Sequence, residues 1–343
     1  YLSGERRWQR DRAPGVMGSA LQDFLRQQGL NPDYKPLNSS GGWSFQGKLG
    51  WRLSDNITIK GGALGSRDDW REYFQAYLKN LAHTPRYLDV NKSYFATYNQ
   101  VLSSKTFWNF GYNYFETLRK RGDGVAFDNL SQYYIASNPR FDDDIPLFYD
   151  PGHVVNNYLQ RFSAYHGLQA SITSQVNAHH QLKFGADYQR NTLRFFQHYR
   201  PINLGGDDPN VTDWDGYGYD LIATSNGTDL PASVQLVQSN NGRDGAKHPK
   251  IWSVYMEDKF EREGVIVNGG LRVDHIDVDT PALRNNVTPL QDGPDPASLD
   301  PQDLQANRTY TRLSPRLGVA FPLDVKTILR FNYGQFYQQP NLQ

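Results

Sequence analysis

Aromatic residues stand beside acidic ones in two segments of the chain, and they are the first candidates for binding chemistry. Phe148 and Tyr149 form one group, and Trp214, Tyr217 and Tyr219 form the other. Flat rings next to hydrogen-bonding groups can hold sugars or aromatic chelates, and such rings also pack long loops together. We interpret the five residues as candidate ligand contacts, with loop packing as the commoner alternative.

Aspartates cluster in the same two segments. Asp142, Asp143 and Asp144 are consecutive, and four more aspartates lie between residues 207 and 215. Calcium takes roughly six to eight oxygen ligands, so the triplet is a candidate for a weak calcium site. Because the spacing matches no established calcium loop, a solvated loop is the simpler interpretation. We predict no resident metal and no cofactor.

No pattern in the chain predicts an enzyme. The residues from Gly42 to Lys48 have the spacing of a phosphate-binding loop, but Leu49 stands where that loop needs a serine or threonine. His179 and His180 are adjacent, and neighbouring residues of a strand face opposite ways, so they do not form a shared metal site. A cysteine nucleophile, a zinc-binding helix motif and a nucleophile elbow are missing from the sequence.

The composition of these 343 residues excludes several classes of protein. Basic and acidic residues number 36 each, so the chain has no general attraction for nucleic acid. Cysteine is absent, which excludes a disulfide framework. No run of about 18 apolar residues predicts a transmembrane helix, but a membrane strand needs only about 9 to 11 residues and escapes hydropathy averages.

Apolar and polar residues alternate with a period of two along much of the chain, which predicts β-strands. Trp43, Phe45 and Trp51 share one parity, for example, while Lys48 and Arg52 share the other. We count about ten such strands. Short turns near residues 54–56, 103–105, 176–181, 262–264 and 322–326 alternate with long loops near 66–91, 120–157, 192–248 and 278–308.

Outer-membrane barrels have this alternation, with brief periplasmic turns and long outside loops. We therefore predict an all-β chain that forms part of an antiparallel up-and-down transmembrane β-barrel, with about ten strands of a larger barrel. Helical spacing from Met17 to Leu25 and from Trp70 to Leu81 predicts two short helices in the extracellular loops. The alternative is a soluble β-sandwich whose apolar parity packs against a second sheet.

Aromatic residues of the apolar parity stand near the predicted strand ends, where lipid headgroups favour amphipathic rings. The expected periplasmic row is Trp51, Trp108, Phe260 and Phe321, and the expected outer row is Trp43, Tyr188, Trp252 and Tyr337.

The polar parity carries an excess of cations and is expected to face the lumen, because a charge at the lipid midplane costs about 2 to 4 kcal/mol. Such charges can meet the carboxylates of a plug, line a path for anionic ligands, or simply be solvated. The predicted lumen-facing residues are Lys48, Arg52, Lys60, Arg161, Lys183, Asp187, Glu257, Lys259, Arg272, Asp274, Arg316 and Arg330.

Several motifs of the C-terminal third resemble the barrels of TonB-dependent receptors, with the large Oar-like receptors as the most similar subgroup. They are Asp258-Lys259-Phe260, Gly269 with Leu271-Arg272-Val273-Asp274, Leu313-Ser314-Pro315-Arg316-Leu317-Gly318, and the run from Tyr333 to Pro340. The segment from Leu102 to Thr106 also resembles these receptors, and the resemblance extends over residues 40–343.

The resemblance implies a barrel of about 22 strands with an N-terminal plug, energised by the TonB complex, that imports a large scarce ligand such as a siderophore, glycan or peptide. The chain has no recognisable plug, TonB box or terminal aromatic strand, and it begins at Tyr1 without an export signal. We therefore expect a fragment, with residues 1–39 as an extracellular loop segment and 40–343 as a partial barrel. The alternative function is an outer-membrane adhesin or structural barrel without active transport.

Overall fold

The structure is a computed structural model that describes residues 1–134, 148–154, 157–198, 214–225, 231–242, 244–294, 300–324 and 326–338. One antiparallel sheet of twelve strands dominates it. Its strands are β1 (Leu2–Gln9), β2 (Ser40–Ser54), β3 (Ile57–Arg71), β4 (Arg86–Ser103), β5 (Thr106–Gly122), β6 (Tyr158–Gln175), β7 (His180–His198), β8 (Trp214–Tyr217), β11 (Lys250–Arg262), β12 (Val265–Leu283), β13 (Leu304–Pro322) and β14 (Ile328–Gly334). The other two, β9 (Tyr219–Ser225) and β10 (Pro231–Gln238), form a separate hairpin.

The strands follow one another in chain order from β1 to β7, then β11 to β14, and the short β8 pairs with the upper part of β7. This is the predicted up-and-down order, and ten of the twelve strands are the predicted ones. The strands β1 and β14 stand at the two ends of the order and the sheet is not closed. The prediction of a partial antiparallel barrel is confirmed.

β1 lies within residues 1–39, where we expected an outside loop. It pairs along its whole length with β2, from Leu2 opposite Gly47 to Gln9 opposite Ser40. Its alternation is weak because Arg6 and Trp8 share a parity with Leu2. The pairing satisfies backbone groups of β2 that would otherwise be unpaired.

Each connection at one end of the sheet is short and each connection at the other end is long; we name these the turn end and the loop end. At the turn end, β11 joins β12 through two residues, Glu263 and Gly264, both with positive φ (52° and 83°). A two-residue hairpin of this kind needs positive φ at both positions, which glycine adopts without strain. Most strands are longer than predicted: β4 has 18 residues and β7 has 19, against about 9 to 11 for a bilayer, whereas β14 has seven.

The register separates the side chains of the sheet into an apolar face and a polar face. Trp51, Ile59, Tyr98 and Phe110 are direct cross-strand partners on the apolar face. Large residues of this face are open to the surroundings, with Leu49 78% and Trp51 66% exposed. Such contiguous exposed apolar area indicates contact with lipid. In the described part of the chain no second sheet covers this face, which excludes the soluble sandwich.

One of the two predicted helices is present. The helix α1 (Ser19–Gln27) buries Leu25, as the spacing from Met17 to Leu25 indicated. The prediction of a helix from Trp70 to Leu81 is wrong. β3 continues through Trp70, whose backbone pairs with Tyr87, and only two 3-10 turns follow, at Gln75–Tyr77 and Leu81–His83. No helix among the described residues is long and apolar enough to span a membrane.

The buried core of the molecule lies at the loop end, above the sheet faces. We name this region the loop layer; it consists of the connections at the loop end, the hairpin β9–β10 and the upper ends of β6 and β7. Its hydrophobic cluster contains Ala126, Leu130, Tyr133, Val154, Tyr158, Phe196, Tyr219 and Val234.

A buried arginine joins the hairpin to the sheet. Nη1 of Arg194 donates to the carbonyl oxygens of Gly218 (2.8 Å) and Ser239 (2.7 Å), and Nη2 donates to Oδ1 of Asn240 (2.5 Å). Gly218 and Ser239 flank the hairpin on either side, so one side chain of β7 fixes both of its ends.

Candidate ligand-binding face

All twelve charged residues of the predicted lumen set lie on the polar face. The register makes this plain, since Arg161 opposes Phe195 and Arg119, Lys183 opposes Glu257 and Thr173, and Arg316 opposes Gly270. That the polar face lines a lumen remains a proposal. The set is Lys48, Arg52, Lys60, Arg161, Lys183, Asp187, Glu257, Lys259, Arg272, Asp274, Arg316 and Arg330.

Four of the polar-face side chains form a network across β7, β11 and β12. Arg272 donates to Oδ2 of Asp187 (3.0 Å), to Oδ1 of Asp274 (2.8 Å) and to Oγ of Ser253 (2.7 Å). Ser253 in turn donates to Oδ2 of Asp187 (3.0 Å). Because Arg272 donates to two carboxylates and to Ser253, this part of the face is held in one arrangement.

Tyr255 lies between two cations of the same face. Nζ of Lys183 is 5.3 Å and the guanidinium of Arg272 is 5.7 Å from the centre of its ring. The ring covers Gly185, where an added Cβ would meet the Tyr255 ring at 2.3 Å. Gly185 therefore provides the space that this ring needs.

A second group of charged residues stands nearer the loop end. Asp89 accepts from Nε (2.6 Å) and Nη2 (3.1 Å) of Arg119. Arg161 is the direct cross-strand partner of Arg119, and in the described part of the chain it has no carboxylate partner. Like charges directly opposite each other are unfavourable in a sheet. The two guanidiniums line a cavity of about 250 Å³ together with Asn91, Thr117, Ser163 and the carboxylates of Asp68 and Asp89. Asp68 accepts from Nη2 of Arg7 (2.9 Å).

Aromatic rings and arginines form a stack beside this cavity. Trp70 and Tyr87 are parallel, with ring centres 3.7 Å apart. The guanidinium of Arg12 lies 3.7 Å from the Trp70 ring, and that of Arg121 lies 5.4 Å from the Tyr87 ring. The indole Nε1 of Trp70 donates to Oδ2 of Asp89 (3.0 Å), which links the stack to the cavity.

Of the residues that line this cavity, only Arg161 was predicted from the sequence. Asp89, Asn91, Thr117 and Arg119 fell in or near segments that we interpreted as loops. The signal was nevertheless present, because the polar parity of β4 continues through Asn91 and Asp89 to Tyr87. Extending each strand until its alternation fails would have found them.

The predicted aromatic contacts at Phe148 and Tyr149 lie in the loop layer. Tyr149 packs between Tyr77 (ring centres 4.8 Å apart) and His153 (5.0 Å), and its backbone N–H donates to the carbonyl of Ala76 (2.8 Å). Phe148 lies 5.6 Å below Nζ of Lys79. Burial raises the pKa of the Tyr77 hydroxyl and lowers the pKa of the His153 ring. These contacts are those of loop packing, and the ligand-binding role of Phe148 and Tyr149 stays a prediction.

The residues of the second aromatic group, Trp214, Tyr217 and Tyr219, have different surroundings. Tyr219 is 2% exposed and belongs to the hydrophobic cluster, whereas Tyr217 is half-buried against Phe195, with ring centres 6.2 Å apart. The backbone of Trp214 pairs with His198 in β8. The ligand-binding role of this group stays a prediction.

The described residues bring no three metal-binding side chains of His, Cys, Asp or Glu together. The candidate calcium triplet Asp142, Asp143 and Asp144 lies outside the described residues. Nδ1 of His180 pairs with Oδ2 of Asp258 (2.8 Å), whereas Nδ1 of His179 contacts the carbonyl of Glu261 (3.0 Å). The adjacent histidines thus bind different groups, as their positions predicted.

Comparison with protein families shows which family the chain belongs to. The model of the family described as outer membrane beta barrel domain matches residues 22–343. The chain belongs to this family. It is therefore an outer membrane beta barrel domain of the bacterial outer membrane, and its apolar face is the lipid face of that barrel. A comparison with curated protein sequences found no match.

Solved structures with the same fold are receptors and transporters. The copper transporter OprC is 13% identical, with a TM-score of 0.53 over 90% of this chain and 38% of its own. The FrpB iron transporter from Neisseria meningitidis is 13% identical, with a TM-score of 0.51 over 94% and 40%. A variant of the ferric enterobactin receptor PfeA from Pseudomonas aeruginosa is 15% identical, with a TM-score of 0.50 over 89% and 34%.

This outer membrane beta barrel domain thus spans between about a third and two fifths of the length of these proteins. The predicted resemblance to TonB-dependent receptor barrels is confirmed at the level of the fold. The Oar-like subgroup stays a prediction.

Proposed function

We propose that the chain is part of the wall of an outer-membrane receptor that takes up a large ligand by TonB-dependent transport. The observation that carries the proposal is the cavity on the polar face beneath the loop layer, where Arg119 and Arg161 stand opposite each other and, among the described residues, Arg161 has no ion-pair partner. Two guanidiniums beside a stacked tryptophan and tyrosine suit a ligand with anionic groups and flat rings.

The named relatives support uptake over enzymatic activity. They are a copper transporter, an iron transporter and a receptor for ferric enterobactin. A siderophore, a glycan or a peptide fits the same general role, and among these the arginines favour an anionic ligand. The plug and the segment that contacts the TonB complex would then belong to the remainder of a longer protein.

The test measures uptake by the full-length protein in a strain that lacks other receptors for the same probes. Ferric enterobactin and ferric citrate with radioactive iron serve as probes. We expect uptake that stops when the TonB complex is deleted, and a reduction of about tenfold in Arg161→Gln, since a hydrogen bond to a charged group contributes about 1.5 to 3 kcal/mol.

The control is Lys326→Gln, which removes the same charge at the turn end. Equal uptake by Arg161→Gln and the unaltered protein would contradict a ligand role for this cavity. Cells that bind a probe or a host surface without internalising it, with or without TonB, would favour the adhesin.

A further inference from the structure

Two arginines on the apolar face have no carboxylate partner in the described part of the chain. Arg6 of β1 and Arg67 of β3 are both direct cross-strand partners of Trp43 of β2, so the three side chains form one row. Both arginines are exposed. With Arg7 and Trp8, the two arginines line a cavity of about 200 Å³, which Asp69 lines as well. Asp69 is bound by Arg86 through Nε (2.9 Å).

The position of this row along the strands coincides with the outer surface of the bilayer. Trp43 and Arg67 each lie about a dozen residues from the turn that joins β2 to β3. At about 3.3 Å per residue and a tilt of about 40°, that distance corresponds to a height of about 30 Å. The apolar band of such barrels is about 25 Å tall. The arginines therefore stand at the level of lipid headgroups.

A groove lies on the turn-end side of this row, beyond the Phe45 ring. On the apolar face of β3, Arg67 is followed by Gly65, Ala63 and Gly61, and only then by the larger Ile59. The Phe45 ring covers Gly65, while an added Cβ at Gly61 would meet nothing closer than 3.6 Å. Leu49 of β2 stands beside Gly61 and Tyr94 of β4 stands beside Ala63, so one larger neighbour borders the groove at each position. A narrow apolar groove below two cations has the shape of a lipid, with an acyl chain below and an anionic headgroup above.

We propose that Arg6, Trp43 and Arg67 form a binding site for the phosphate of an outer-leaflet glycolipid, with one acyl chain lying over Gly61 and Ala63. Guanidinium groups bind phosphate through paired, charge-assisted hydrogen bonds, and a tryptophan between them suits the interface. The anion would also relieve the repulsion between two uncompensated cations. This site lies on the outer wall and is independent of the proposed uptake.

Another cation pair on the same face provides a matched control. Arg190 and Lys250 are direct cross-strand partners at a similar height. Asp277 faces Lys250 from β12, and the strands below carry the large residues Tyr188 and Trp252 instead of a groove. This pair has the charge without the groove, so we expect it to bind no lipid in a fixed position.

The experiment measures lipid A binding to the detergent-purified full-length protein by native mass spectrometry, with dephosphorylated lipid A and inorganic phosphate as further probes. We expect affinity for lipid A to fall about tenfold in Arg6→Gln/Arg67→Gln, since each cation contributes about a tenfold factor or less at an anionic surface. Arg190→Gln/Lys250→Gln should retain binding.

Ala63→Leu tests the groove without changing charge and places an ordinary apolar residue against lipid. It should weaken binding of lipid A as well, with unchanged thermal unfolding. Equal losses in both cation pairs would overturn a discrete site in favour of diffuse attraction. Equal binding of dephosphorylated lipid A, or full competition by inorganic phosphate, would overturn the proposal that a phosphorylated lipid is the occupant.

Discussion

The sheet and the loop layer use the same kinds of residue in opposite ways. In the sheet, Trp51 is 66% exposed and points to lipid. In the loop layer, Tyr133 and Phe196 are 0% exposed and belong to the same hydrophobic cluster. The hydrophobic effect acts in both regions, but the sheet meets an apolar solvent and the loop layer meets water. Trp51 is therefore exposed to lipid, whereas Tyr133 and Phe196 are buried away from water.

The strongest test of this difference truncates one phenylalanine in each region of the same strand. Phe196 packs on Tyr158 in the loop layer (ring centres 6.1 Å apart), and Phe184 lies on the apolar face with 45% exposure. Phe196→Ala should destabilise the loop layer by about 3 to 5 kcal/mol because it leaves a cavity. Limited proteolysis of intact cells should then cut the loops faster.

Phe184→Ala leaves a space that lipid can fill, so the same proteolysis should be unchanged. Similar loop cleavage in the two variants would show that the loop layer has no core of its own.

The second test places an arginine on each face of β6. Ala170 lies on the apolar face opposite Phe110 and Ala186, and Gln169 lies on the polar face opposite Asp187. Ala170→Arg should cost about 2 to 4 kcal/mol at the midplane. Gln169→Arg should cost much less because it gains a carboxylate neighbour. Urea unfolding of the full-length protein in liposomes measures both, and equal costs would contradict the assignment of faces.

The third test compares two arginines of the polar face. Arg272→Gln removes the cation shared by Asp187 and Asp274 and should destabilise the wall by about 1 to 2 kcal/mol. Arg330→Gln, near the turn end, breaks no ion pair in the described part of the chain and should have little effect. The same unfolding assay measures both variants. A larger loss of stability in Arg330→Gln than in Arg272→Gln would contradict a stabilising role for the Arg272 network.

The smallest expected effect concerns pH and the loop layer alone. Burial lowers the pKa of His153 below its ordinary value of 6.5, so the folded loop layer resists protonation of this ring. Its stability should be complete above about pH 6.5 and should decrease as the pH falls below that value, because the unfolded segment then binds the proton more readily. Protease sensitivity should rise accordingly.

His153→Gln should remove the part of the loop layer's pH dependence that comes from this ring, and the pH dependence of the sheet's stability should be unchanged. An unchanged profile in this variant would assign the effect to other groups.

Much of the wall could be predicted from the sequence because a strand's alternation is a local property. Trp43, Phe45 and Trp51 on one parity, against Lys48 and Arg52 on the other, specify both the strand and its faces. The faces of all twelve charged residues followed from this rule. The prediction failed at Trp70, where helical spacing and strand alternation are both present and only the pairing with Tyr87 decides between them.

Other features depend on residues that are far apart in the chain. Arg272 meets Asp187 across 85 positions, and Val234 of the hairpin donates its N–H to Oγ of Ser131 across 103 positions. No local sequence pattern predicts such contacts. The sequence by itself therefore determined the strands, their faces and their short turns, because period and turn chemistry act over a few residues. Tertiary structure alone decided how far the strands rise above the bilayer and which cations find a carboxylate partner, because those depend on which strands become neighbours.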